Sequence, residues 1–123
     1  MRVLLFTTLL LLIGCHATGT SIVTGETRQE IDPEFVKLYL DPPENYETIG
    51  LVEASAPIGR REQDAVDNAV MELKNQAAML GANGVILTST SETATTIIDN
   101  VGNFLNTIID EEKNVTGKAI FVN

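Results

Sequence analysis

The chain has 123 residues, 17 acidic side chains against 8 basic ones, a formal charge of −9, one histidine and one cysteine. That length allows one small domain. The acidity argues against a nucleic-acid partner, whose phosphates reward Lys and Arg, and one cysteine cannot staple a fold in an oxidising compartment, so the core must hold by burial alone.

The first element is apolar. From Val3 to Ile13 the run is broken only by Thr7 and Thr8, with Arg2 in front of it. It is too short to span a hydrocarbon core, which takes roughly 20 residues, and it suits the h-region of a secretory signal. Small Gly14 then precedes Cys15. Leu12-Ile13-Gly14-Cys15 resembles the lipobox of bacterial lipoproteins. The resemblance implies a diacylglyceryl group on the Cys15 thiol and cleavage that removes residues 1–14 as a signal peptide. Two or three acyl chains hold a protein on a membrane stably, where one, at about 0.8 kcal/mol per methylene, does so only marginally. The alternatives are an ordinary signal peptide with an incidental cysteine, or a short anchor helix. In the sorting pattern of lipoproteins, His16 rather than Asp after the cysteine implies the outer membrane, facing the periplasm. An acylated Cys15 is unavailable for disulfide, metal or nucleophilic chemistry.

Residues 15–33 are rich in Thr, Gly and Ser and read as a lipid-anchored flexible tether ending near Pro33. Residues 34–123 read as a single domain. Val36, Leu38 and Leu40 alternate with Lys37 and Tyr39, the period of a half-buried strand. After the break at 41–45, Tyr46, Thr48, Ile49, Leu51 and Val52 build a second strand, with a bulge or close backbone approach expected at Gly50. These two strands are expected to pair antiparallel.

The clearest helix follows the loop ASAPIGRREQ. Val66, Val70, Leu73, Ala77 and Leu80 share one face, with Ala69 beside them, and acidic residues crowd the first turns, where they favour the helix dipole. Gly81 is placed to end the helix in a left-handed conformation. VILTST then reads as a short buried strand, so strand, helix and strand form a crossover that lays the helix on the sheet. Residues 117–122 read as the last strand.

Between them, Ala94 to Asn114 carries two signals. Ile97, Ile98, Val101, Phe104, Leu105, Ile108 and Ile109 fit a helical stripe, while the Thr and Ile content is that of strands. Gly102 would weaken a helix by up to about 1 kcal/mol, and Asp99 to Asn103 would serve as a hairpin turn. The reading adopted is an amphipathic helix whose stripe packs in the core. A docking surface for a partner or a membrane, built on Phe104, Leu105 and Ile108, is the alternative.

YETIGLVEASA, LKNQAAMLGANGVIL and the closing VTGKAIFV together resemble small bacterial envelope lipoproteins related to the outer-membrane sensor of the Rcs phosphorelay. The shared pattern is a strand, a helix ending in Ala-x-x-Leu/Met-Gly-Ala-Asn, and a strand. The resemblance implies lipoprotein status and the α/β fold class. The chain departs from the sensor itself in having no cysteine beyond Cys15 and no long proline-rich basic linker.

Catalytic signals are sparse. His16, the only histidine, adjoins the proposed anchor, so a Ser/His/Asp arrangement would lack a histidine in the domain. Asp64 with Asp67, and Asp110-Glu111-Glu112, read as solvated carboxylates, and the loop spacing of a calcium site is absent. Arg60 and Arg61 stand out in an acidic chain, either as a greeting for an anionic group at the next helix N-terminus or as an exposed loop. The expectation is an α/β (α+β) domain, a small mixed or antiparallel sheet of about four strands covered by one or two helices. It is expected to act as a lipid-anchored binding or interaction module without catalysis, metal or cofactor, with membrane and envelope-protein partners. The alternative is an envelope stress sensor passing a signal to a membrane partner.

Overall fold

Apolar alternation in residues 46–57 produces an inner strand of the sheet, paired along both edges. The computed structural model describes residues 17–101 and 104–123, and the side chains of residues 17–94 and 111–123. The strands are β1 (Thr18–Val23), β2 (Lys37–Tyr39), β3 (Tyr46–Pro57), β4 (Gly84–Val101) and β5 (Phe104–Val122). One helix, α1 (Glu62–Met79), joins β3 to β4, and a 3-10 turn covers Pro33–Phe35. The sheet order is β1-β3-β5-β4-β2. Only the β2–β4 pair is parallel; β1–β3, β3–β5 and β5–β4 are antiparallel. The architecture is thus the expected α+β class, a mixed sheet with a helix packed on it. The β3-α1-β4 crossover is split, because β5 lies between the two strands it connects.

Val52, Ala54 and Ala56 of β3 are buried while Leu51 and Glu53 are exposed. Ile49 and Gly50 are buried in succession, and the register with β5 shifts between Thr48 and Gly50, which is the expected bulge. A Cβ at Gly50 would lie 2.5 Å from the Ile22 carbonyl oxygen, so β1 approaches too closely for any side chain here.

The helix forms where expected, and Ala69, Leu73, Ala77 and Leu80 of the expected face are buried, but its first turns bury alanine rather than valine. Ala65, Ala69, Leu73 and Ala77 are buried at four-residue spacing, joined by Gln76 and Ala78, whereas Val66 and Val70 are half-buried on the flank. The residues beneath explain this correction. The sheet offers Ala54, Ala56 and Ala119, and alanine on both surfaces lets the helix approach more closely than valine would. Leu73, fully buried, is the largest helix side chain in this small-residue core.

At the helix C-terminus, Ala82 N–H donates to the Ala77 carbonyl at 3.1 Å and Gly81 N–H to the Ala78 carbonyl at 3.0 Å, with Gly81 at φ 78°. This is a Schellman closure, and glycine meets its left-handed requirement. Asn83 follows as a clip. Its side chain accepts from Val122 N–H at 2.8 Å and donates to the Val122 carbonyl at 2.9 Å, as a neighbouring strand would. The sequence run Gly-Ala-Asn is therefore structural.

Three expectations are corrected. Residues 15–33 are not a tether throughout: Thr18–Val23 is a sheet strand, covering the edge of β3. The chain after it lies over the end of α1, where Arg28 N–H donates to the Leu80 carbonyl at 2.9 Å and Ile31 N–H to the Ala78 carbonyl at 3.1 Å. The Leu80 carbonyl has no donor within the helix, so the segment satisfies it, while Ile31 adds a second donor to the Ala78 carbonyl that Gly81 already bonds. The expected β2–β3 pair does not form, since β1 and β5 occupy both edges of β3, and β2 joins the far side of the sheet through β4. Leu40, expected in β2, lies beyond it and is exposed.

Residues 94–114, expected as a helix, are strand in all their described backbone. β4 and β5 pair continuously outward to Val101↔Phe104. The pairing continues the register that holds from Ser89↔Thr116, after a shift between Leu87 and Ser89, and β-branched residues suit it.

Candidate functional site

Several segments converge at the end of the sheet where β1 begins. Thr18 pairs with Ser55, and β3 ends two residues later at Pro57↔Glu112. Beyond that pair the β4–β5 hairpin continues alone as an arm, from Ala94↔Glu111 to Val101↔Phe104. Among the described residues it has no third strand, since β2 pairs with β4 only as far as Tyr39↔Ile86. The loop after β3 is fastened to the root of the arm by Ile58 N–H donating to the Glu111 carbonyl at 2.9 Å.

A three-residue ion pair sits beside this root. Lys113 Nζ lies 2.9 Å from Glu62 Oε1 and 3.0 Å from Glu92 Oε1, and its side chain is 15% exposed. It ties the first residue of α1 to both strands of the hairpin. The Lys113 hydrogen bond, with Glu92 adding to it, holds the Glu62 carboxyl below its ordinary value of 4.5. Hydrogen bonds to Glu62 and then Glu92 hold Lys113 above its ordinary 10.5. Glu62 therefore favours the fold above the unfolded carboxylate pKa, an effect lost as pH falls through its lowered value. Lys113 does so below 10.5 and loses the effect as pH rises through its raised value. Across neutral pH both groups remain charged and the clasp stays closed.

On the sheet face away from α1, hydroxyl and amide groups bond one another. Ser55 Oγ donates to Asn114 Oδ1 at 2.6 Å, and Asn114 Nδ2 donates to Thr93 Oγ1 at 2.6 Å. Thr116 Oγ1 bonds Thr88 Oγ1 at 3.1 Å and also Ser89 Oγ. This is the solvated face of an antiparallel sheet. Its polar groups serve cross-strand cohesion.

The predicted site residues fall as follows. Cys15 lies outside the described residues. Phe104, Leu105 and Ile108 are in the backbone of β5, and their side chains lie outside the description. Arg60 and Arg61 are exposed in the loop before α1. They line an open cleft of about 250 Å³ with Pro57, Asp64 and Asn68. Arg61 holds the N-cap position without a side-chain capping bond, so the backbone donors there are left to solvent or a ligand. The structure thus brings the arginine pair to the root of the arm that carries Phe104, a proximity that sequence reading did not find. The Lys113 clasp and the Asn83 clip were also missed, because their partners are 51, 21 and 39 positions away.

Of the carboxylates considered for chemistry, Asp64 and Asp67 are exposed on α1, and Asp67 Oδ1 accepts from Gln63 Nε2 at 2.9 Å. Glu111 and Glu112 are exposed on β5. Among the described residues, no group of three or more His, Cys, Asp or Glu side chains converges as a metal site would. The arrangement positions surfaces and an arm.

No protein-family model and no curated protein matches the chain. Among solved structures, the chain is similar to the crystal structure of a Francisella virulence factor, FvfA. The two are 15% identical with a TM-score of 0.50, over 82% of this chain and 97% of that one. At that identity the likeness is one of fold alone, and the class it supports is a small α+β domain built on a sheet and a helix.

Proposed function

We propose that the chain is a cell-envelope lipoprotein, anchored in the outer membrane through acyl groups on Cys15, whose domain acts by binding another envelope component without catalysis. The observation that carries this reading is the apolar run Val3–Ile13 closing on Leu-Ile-Gly-Cys at the start of the chain. The resemblance to Rcs-related envelope lipoproteins in YETIGLVEASA and LKNQAAMLGANGVIL supports it, and a sensor that passes a signal to a membrane partner is the alternative. The engagement of the sheet's polar groups with one another supports a structural surface over a reactive one.

The test is Cys15→Ala. The variant is expected to incorporate no fatty acid and to accumulate as unprocessed precursor. Ordinary fatty-acid labelling of that variant would overturn the lipoprotein reading. With the anchor intact, affinity capture from membranes is expected to recover a reproducible envelope partner.

A further inference from the structure

Anchor and arm leave the same end of the sheet, and their lengths differ greatly. β1 runs from Thr18 opposite Ser55 to Val23 opposite Gly50, so the chain preceding Thr18 departs toward the arm. Only His16 and Ala17 separate Cys15 from Thr18. Three residue steps at about 3.3–3.6 Å each let Cys15 reach no more than roughly 10 Å from the sheet. The arm strands run from Ala94↔Glu111 to Val101↔Phe104, which at about 3.4 Å per residue is roughly 25 Å beyond the end of β3. The arm therefore overreaches the anchor by more than about 15 Å.

We propose that the β4–β5 arm docks on the lipid bilayer beside the anchor, lying along the boundary between headgroups and acyl chains. This rests on the lipid anchor proposed above. A bilayer holding an acylated Cys15 passes through the space the arm occupies, so the arm meets lipid unless the domain tips away. Its sequence suits the contact: between Ala94 and Ile109 the sole charged residue is Asp99, among four isoleucines, Val101, Phe104 and Leu105. Paired strands with open edges cannot cross hydrocarbon, because their unpaired N–H and C=O groups would be stranded, so the arm lies at the interface. Exposed Glu111 and Glu112 mark where it emerges into water. A lone two-stranded hairpin is marginally stable in water, and the lipid surface supplies the support that no third strand gives among the described residues. Arg60 and Arg61 share this end with Asp64, Glu111 and Glu112, so the attraction is apolar and requires no anionic lipid.

The chain contains no tryptophan, which makes the test direct. Phe104→Trp and Leu105→Trp report on the arm, and Tyr46→Trp, paired with Val122 at the opposite end of the sheet, is the reference. Each full chain, with acylation verified by mass, is placed in phosphatidylcholine vesicles with and without brominated acyl chains. Positions 104 and 105 alternate across the strand, so the probe on the lipid side of the arm is expected to lose most of its emission to the bromines, and the reference to keep its own. An acylated, vesicle-bound chain in which neither arm probe is quenched overturns the docking, and so does equal quenching of all three. Arm probes shielded from lipid by a co-purifying protein overturn it in favour of a protein contact. A chain that carries no acyl group overturns the anchor reading, and the inference falls with it, which mass alone distinguishes.

Discussion

Gly81 concentrates more structural demands than any other single position. It ends α1 at φ 78°, and a Cβ there would lie 2.5 Å from the Arg28 carbonyl carbon and oxygen, because the strap after β1 crosses directly above it. A left-handed residue other than glycine costs about 1–2 kcal/mol before any collision. Gly81→Ala is therefore expected to destabilise the domain by more than about 2 kcal/mol, read as a lower urea midpoint with the slope unchanged. Gly59→Ala is the control, since a Cβ there meets nothing within 4 Å, and it is expected to stay within about 0.5 kcal/mol. Equal shifts for the two would show that the helix ends without the Schellman closure. The role of Gly81 was legible in the sequence because capping is local chemistry. That of Asn83 was not, because its meaning depends on Val122, a partner brought beside it only by the completed sheet.

At the scale of elements, periodicity located α1 and the later part of its buried line, Leu73, Ala77 and Leu80, but misplaced its first turns. Hydrophobic bulk drew the predicted stripe through Val66 and Val70, whereas burial follows Ala65, Ala69, Leu73 and Ala77. The reason is reciprocal: a helix meeting a sheet surface of alanines packs most closely through its own alanines, and no periodicity scale that rewards size can see that. Ala69, fully buried, is expected to tolerate no enlargement. Ala69→Leu should cost about 1–3 kcal/mol through overpacking, and Leu73→Ala about 2–5 kcal/mol through the cavity it leaves. Thermal unfolding of both variants measures this, and a neutral Ala69→Leu would restore the valine-centred stripe. The arm misled in the opposite way. Its isoleucines satisfy a helical period, yet their pairing follows the register that runs outward from Ser89↔Thr116, beyond the shift after Leu87. The local signal that survived was composition, the Thr and Ile content of residues 95–109.

For the whole molecule, the segment between the proposed anchor and the domain decides how the anchor is used. A Thr- and Gly-rich stretch reads locally as a tether, but β3 has an edge to cover and α1 has carbonyls to satisfy, and residues 18–31 do both. Arg28 adds a clamp. Its guanidinium lies 3.4 Å from the centroid of the Phe121 ring and donates to Glu47 Oε2 at 2.8 Å, binding the strap to strands β5 and β3. A chain lacking residues 17–32 is therefore expected to lose more than a linker. It strips β3 of its edge partner, leaves the Leu80 carbonyl without its Arg28 donor, and opens the sheet edge to another copy. Each buried polar group left unsatisfied costs about 1–3 kcal/mol, against a total stability of about 5–15 kcal/mol for a domain of this kind. The comparison is made between the Cys15→Ala chain with and without residues 17–32, by thermal unfolding and light scattering. The truncated chain is expected to unfold at markedly lower temperature and to self-associate. Unchanged melting and a monodisperse monomer would return residues 15–33 to the role of a flexible tether. They would also lengthen the anchor's reach enough to free the arm from the bilayer, so this measurement bears on how closely the domain is held to its membrane.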